Sequence, residues 1–154
     1  MLPVQWPQNE GWVDVGDGTR LWYSDTEGDG PTILLLHASA GSAECWAYQQ
    51  PVFAEAGYRV IAYSRRGHFR SETGAIPAGQ PASTDLLRLL DALELDRVHM
   101  LGTAAGGMVA TDFAVSRPDR LTSLMISSSM VGIAEDDYES RVTRLLPPAF
   151  YGLP

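Results

Sequence analysis

The sequence contains no lysine, and all 11 of its basic residues are arginine. Schiff-base chemistry and a Walker-type phosphate loop both need a lysine, so neither is available. Positive charge is scarce as well: 11 basic residues face 19 acidic ones, for a formal net charge of −8. Such a chain has no basic stripe to grip a phosphate backbone, which argues against a nucleic-acid partner. Cys45 is the only cysteine. An intrachain disulfide and a multi-cysteine zinc site are therefore excluded, and the usage fits a reducing, cytoplasmic compartment. Long apolar runs are missing too. The longest, Ile33 to Leu36, is far too short to span a bilayer, so no membrane is expected. Met1 to Glu10 has neither the basic nor the apolar region of a secretory signal. What remains is a chain of 154 residues, 45% hydrophobic and 19% charged, with the balance of a soluble globular protein and room for one core.

The pattern along the chain is that of a mostly parallel sheet with helices on both faces. Trp12 to Val15 and Arg20 to Ser24 flank Gly16-Asp17-Gly18 and read as a leading antiparallel hairpin. Thr32 to His37 is a nearly continuous apolar run, as in a strand buried on both faces. A helical stretch follows from about Ala43 to Ala56, interrupted at Pro51, with Gly57 as its C-cap. Tyr58 to Tyr63 reads as a strand, and Ser64 to Gln80 as a long polar loop. Ser83 suits the cap of a helix to about Leu93. Arg97 to Leu101 is a third buried strand. Gly102 to Gly107 turns into a helix to about Val115, and Leu121 to Ser127 is a fourth strand. Alternating strands and helices imply right-handed crossovers, and ligands in such sheets bind at the carboxyl ends of the strands. Three loops fall there: His37 to Gly41, Ser64 to Ser71 and Gly102 to Gly107.

The last of these reads Gly102-Thr103-Ala104-Ala105-Gly106-Gly107. Small residues crowd a sharp strand-to-helix turn because side chains on either side of a strained central residue would clash. That is the logic of Gly-x-Ser-x-Gly, the nucleophile elbow. The frame is present, and the nucleophile position holds Ala104. The spacing is not Gly-x-Gly-x-x-Gly and no acidic residue ends the next strand, which disfavours a dinucleotide site.

With these residues in place the sequence resembles the α/β-hydrolase superfamily. Leu34-Leu35-Leu36-His37-Ala38-Ser39 is similar to the family's apolar strand, His-Gly pair and oxyanion loop. Arg66-Gly67-His68-Phe69-Arg70-Ser71 is similar to its Arg-Gly-His-Gly-x-Ser loop. Arg117-Pro118-Asp119-Arg120-Leu121 resembles its Pro-Asp-Arg-Val segment before the next strand. The resemblance implies an acyl hydrolase of carboxylic esters or lactones, with carbon–carbon bond hydrolysis of diketone-like compounds as the nearest alternative and no metal or organic cofactor. It implies an oxyanion hole made of the backbone N–H groups of Ala105 and Ser39. Ala38, Ser128 and Met130 are expected to line the substrate pocket. His37 is expected to orient the oxyanion loop, His68 to pin its own loop, and His99 and Cys45 to pack in the core.

The sequence departs from the family at several points. Ala104 replaces serine, Ala38 and Phe69 replace glycines, and Ser64 stands where the family often has aspartate. A methyl group cannot attack a carbonyl, so the chain with Ala104 is expected to be inactive. Ala104 is read either as an engineered Ser→Ala change or as the natural residue of a non-catalytic binding relative. The family's acid and histidine come later than these residues. Residues 1–129 are thus expected to form the N-terminal part of the core and 130–154 the start of a cap. The Asp and His would come from a C-terminal half or a second polypeptide, and the last parallel strand would stand as an exposed apolar edge.

Overall fold

The computed structural model describes residues 2–75 and 80–129. They form one six-stranded sheet. Strand β1 (Asn9–Asp14) and β2 (Arg20–Asp25) are the leading hairpin, followed by β3 (Thr32–Leu36), β4 (Arg59–Tyr63), β5 (Val98–Thr103) and β6 (Leu121–Ser127). The sheet order is β1-β2-β4-β3-β5-β6. The β1/β2 and β2/β4 pairs are antiparallel, whereas β3/β4, β3/β5 and β5/β6 are parallel. Helices α1 (Gln49–Glu55), α2 (Ala82–Ala92) and α3 (Ala105–Ser116) make the crossovers.

β3 shows why a continuous apolar run was needed. Its side chains alternate between two cores, one on each face of the sheet. Leu34 and Leu36 join Leu86, Leu89 and Leu90 of α2 and Val109, Ala110 and Phe113 of α3. Ile33 and Leu35 join Trp22, Trp46, Ala54 and Val60 on the opposite face. The sheet is thus covered on both sides through its centre, which is what a parallel sheet requires.

Several local expectations shift. The hairpin strands begin at Asn9 and end at Asp25, because the pairing register carries on past the first apolar residue. The stretch after β3 splits into a 3₁₀ turn over Ala43–Trp46 and a separate α1, with Pro51 inside the first turn of α1, where a missing N–H costs nothing. Ser83 is not the cap of α2. Pro81 holds that position with extended backbone, and the Ser83 hydroxyl donates to the Asp112 carboxylate of α3 instead. Gly57 does take a positive φ, 90°, just beyond α1.

The two edges of the sheet differ. Every residue of β6 after Leu121 is exposed. Among them are Leu124, Met125 and Ile126, the second of these 63% exposed. An open groove of about 210 Å³ lies beside Met125, lined by Phe53, Tyr58, His99 and Ser123 among others. His99 is accordingly not a core residue: its ring pairs with the Ser123 hydroxyl at 2.8 Å in an exposed setting. Cys45 is likewise exposed rather than packed. No helix among the described residues is long and apolar enough to cross a membrane.

Candidate active site

The elbow is built as its small residues require. Ala104 sits between β5 and α3 with φ 48° and ψ −117°, a combination that L residues rarely adopt and that costs ~1–3 kcal/mol. The turn is held from both sides. The Ala104 N–H donates to Ser127 O at 3.1 Å, and the Ala104 carbonyl accepts from Gly107 N–H at 3.0 Å and from the Ser129 hydroxyl at 2.7 Å. No larger residue fits at the flanking glycines. A Cβ on Gly102 would lie 2.6 Å from Gly106 O, and one on Gly106 would collide with the carbonyl oxygens of Leu36 and His37. That second close approach brings the start of α3 against the end of β3, so the elbow and the His37–Gly41 loop meet.

Ala105 is the first residue of α3, so its N–H has no acceptor within the helix and points with the positive end of the helix dipole. Ser39 lies exposed in the loop after β3. Among the described residues, its N–H has no protein acceptor within hydrogen-bond reach. Ala38 beside it is half-buried, and Ser128 is exposed with φ 50°. Met130 and residues 131–154 lie outside the described residues.

His37 is fully buried and both of its ring nitrogens are used. Nε2 accepts from the Arg65 backbone N–H at 3.0 Å, so the ring proton sits on Nδ1 and is donated to Ala38 O at 2.7 Å. Burial pushes its pKa down to about 4, with the neighbouring Arg65 and His68 adding to the depression and the Ala38 carbonyl opposing it. A neutral histidine held at both nitrogens cannot carry a proton for catalysis; it orients the loop. His68 packs edge-on against it, ring centroids 4.6 Å apart, and pairs through Nδ1 with Gly41 O at 2.9 Å. His68 therefore ties the two loops together.

Two residues gain roles that local sequence did not reveal. Arg65 Nη2 donates to His37 O at 3.3 Å and to Ala38 O at 3.0 Å. Ser64, in the position where the family often has Asp, is fully buried. Its hydroxyl accepts from Ala43 N–H at 3.2 Å, and its carbonyl accepts from the Ser71 hydroxyl at 2.6 Å. The next arginine, Arg66, faces the other way. It donates to Asp85 Oδ1 at 2.9 Å, to Asp17 Oδ2 at 2.7 Å and to the Thr19 hydroxyl at 2.9 Å. These partners push its pKa up, and Arg66 in turn holds the Asp17 carboxyl at about 2. Consecutive arginines with opposite orientations are the signal of a loop leaving an extended strand; their spacing alone does not say which one meets the site.

The described residues thus set the turn at Ala104 and the start of α3 against the end of β3, from which the loop carrying Ser39 departs. No cluster of His, Cys, Asp or Glu suited to a metal is present among them.

The sequence matches the family described as alpha/beta hydrolase fold over residues 31–151. It is 34% identical over 127 residues to the 2-hydroxy-6-oxononadienedioate/2-hydroxy-6-oxononatrienedioate hydrolase of Paraburkholderia xenovorans, an alignment covering 78% of this chain and 44% of that protein. It is 35% identical over 125 residues to the non-heme chloroperoxidase of Streptomyces lividans, covering 78% of this chain and 45% of that one. The fold is similar to that of an esterase from Exiguobacterium antarcticum, with a TM-score of 0.75 at 23% identity over 87% of this chain and 53% of the esterase. The chain spans less than half the length of these two curated relatives.

Proposed function

Because this chain belongs to the α/β-hydrolase fold family, we propose that its elbow and oxyanion loop form the charge-stabilising half of a serine-type hydrolase of carboxylic esters or lactones. The nucleophile position is Ala104. The observation that carries this reading is the strained backbone of Ala104, at φ 48°, maintained where a methyl side chain gains nothing from it. Strain of this kind persists where it presents a reacting group.

With serine at position 104, its hydroxyl would attack a substrate carbonyl from the apex of the turn. The negative oxygen of the tetrahedral intermediate would receive the N–H groups of Ala105 and Ser39. His37 is neutral and fully engaged, so the proton must go to another base. That base and its orienting acid belong to a C-terminal half or a second polypeptide, in keeping with the short span relative to the curated relatives. The acyl-enzyme would then be released by water. The substrate is a small molecule, and Ala38, Ser128 and Met130 are the residues proposed to line its pocket, the last of them outside the described residues.

The test is Ala104→Ser in the complete protein, assayed against p-nitrophenyl esters and γ-lactones. Loss of a catalytic serine typically costs ~10⁶ in turnover. The substitution should therefore raise hydrolysis at least ~10³-fold above the Ala104 protein. An inactive but folded Ala104→Ser protein would instead support a non-catalytic binding protein whose gene encodes alanine at this position. The similarity to the Paraburkholderia hydrolase favours one second reading, carbon–carbon bond hydrolysis. Turnover of a diketone-like substrate with esters untouched would select it.

A further inference from the structure

The peptide unit joining Ala38 to Ser39 has a carbonyl at one end and the Ser39 N–H at the other. Its carbonyl is unusually loaded. Ala38 O accepts from His37 Nδ1–H at 2.7 Å, from Arg65 Nη2 at 3.0 Å and from Gly41 N–H at 3.2 Å. One of these donors is a cation, and Arg65 is tied to the same loop a second time through its Nη2 contact with His37 O at 3.3 Å. Its own backbone N–H fixes the His37 ring at 3.0 Å. Arg65 is therefore the origin of three of the loop's restraints: one on the ring and two on successive carbonyls. With its carbonyls turned inward to these donors, the loop leaves the Ser39 N–H without a protein acceptor among the described residues.

We propose that Arg65 is a positioning residue for the oxyanion hole, orienting and polarising the Ala38–Ser39 peptide so that Ser39 N–H becomes a stronger, fixed donor. Hydrogen bonds in series reinforce one another. A charge-assisted donor on a carbonyl draws electron density along the amide and makes its N–H more acidic. The orientation is set before any charge develops, which is the condition for an effective oxyanion hole. The catalytic consequence rests on the hydrolase reading above; the effect on the peptide does not.

Two measurements in the complete protein separate these. The first is the amide NMR resonance of Ser39 in the Ala104 protein. Arg65→Gln removes the charge and should move that resonance upfield, while Arg65→Lys should retain most of the original shift; amides outside residues 36–42 and 64–71 report that the fold is intact. An unmoved Ser39 amide, or equal displacement in both variants, overturns the proposal. The second is kinetic, in an Ala104→Ser background with p-nitrophenyl acetate. Arg65→Gln should lower kcat by ~10-fold with KM within about twofold, less than the ~10²–10³ of losing a donor outright, and Arg65→Lys should recover most of it. A loss confined to KM, or no rescue by lysine, overturns the catalytic role. If Ala104→Ser is itself inactive, the hydrolase reading fails with it, and the Ser39 resonance still decides whether Arg65 polarises the peptide.

Discussion

The two sides of the sheet are finished to different degrees. On the β1-β2-β4 side the charged groups are paired across long sequence separations: Arg66 with Asp17 and Asp85, Arg59 with Asp25, Arg20 with Glu72 and Arg70 with Glu10. The edge strand β1 ends this side with Asn9, Glu10 and Asp14 turned to solvent beside one exposed aromatic, Trp12. On the β5-β6 side the edge strand presents Leu124, Met125 and Ile126; among the described residues β1 and β6 are both edges of the sheet. Natural edges are normally blunted by charge, proline or cover. The difference is one of side chains: among the described residues β1 turns mainly polar groups to solvent, whereas β6 turns apolar ones.

The largest expected effect probes the finished side. Arg66→Met would leave Asp85 and Asp17 without their shared cation. Because the Arg66 side chain is only 5% exposed, the loss should be about 4 kcal/mol, as for one partner removed from a buried pair. Urea denaturation would measure it. A cost below ~1 kcal/mol would place this network with surface ion pairs and weaken the contrast between the sides.

At the seam between the sides lies His37. Its folded pKa of about 4 is below the ordinary value of ~6.5, so the unfolded chain takes up the proton first as pH falls. Stability is therefore full above pH ~6.5, declines as pH falls toward ~4, and has lost no more than ~3 kcal/mol from this group at the end of that window. His37→Gln should remove the slope in a pH series of urea midpoints. An unchanged slope would show that other groups carry it.

The smallest effect is the sharpest for the open side. Leu35→Ala in the closed core (0% exposed) should cost ~2–5 kcal/mol. If further chain covers β6, Met125→Ala in the complete protein should cost about 2 kcal/mol, approaching the core value. A cost under ~0.5 kcal/mol, the range of surface changes, would mean that the β6 face stays in water and that the asymmetry is a property of the finished protein.

The sheet was legible in the sequence because buried parallel strands leave unbroken apolar runs, as in Leu34-Leu35-Leu36, and because Asp17-Gly18 marks the hairpin. The elbow was legible because a turn this tight tolerates only small residues; Gly106 has the Leu36 and His37 carbonyls against it. The rest depended on contacts that spacing does not encode. Ser83 lost its capping role to a carboxylate 29 positions away. Arg65 reaches back 27 positions to Ala38, so nothing adjacent to it announces its contact with the loop after β3. His99 lies on a core strand, yet among the described residues it lines an open groove with Ser123 and Met125 of β6.

The pinning of His37 has one more consequence. With both imidazole nitrogens committed, His37 holds the loop after β3 in place and has no ring nitrogen left to take a substrate proton. Under the hydrolase reading proposed above, the residues up to β6 would then supply electrostatic stabilisation and the proton carrier would come from elsewhere in the protein. On that reading, the part that steadies the intermediate would stay inert until the part that moves protons is in place.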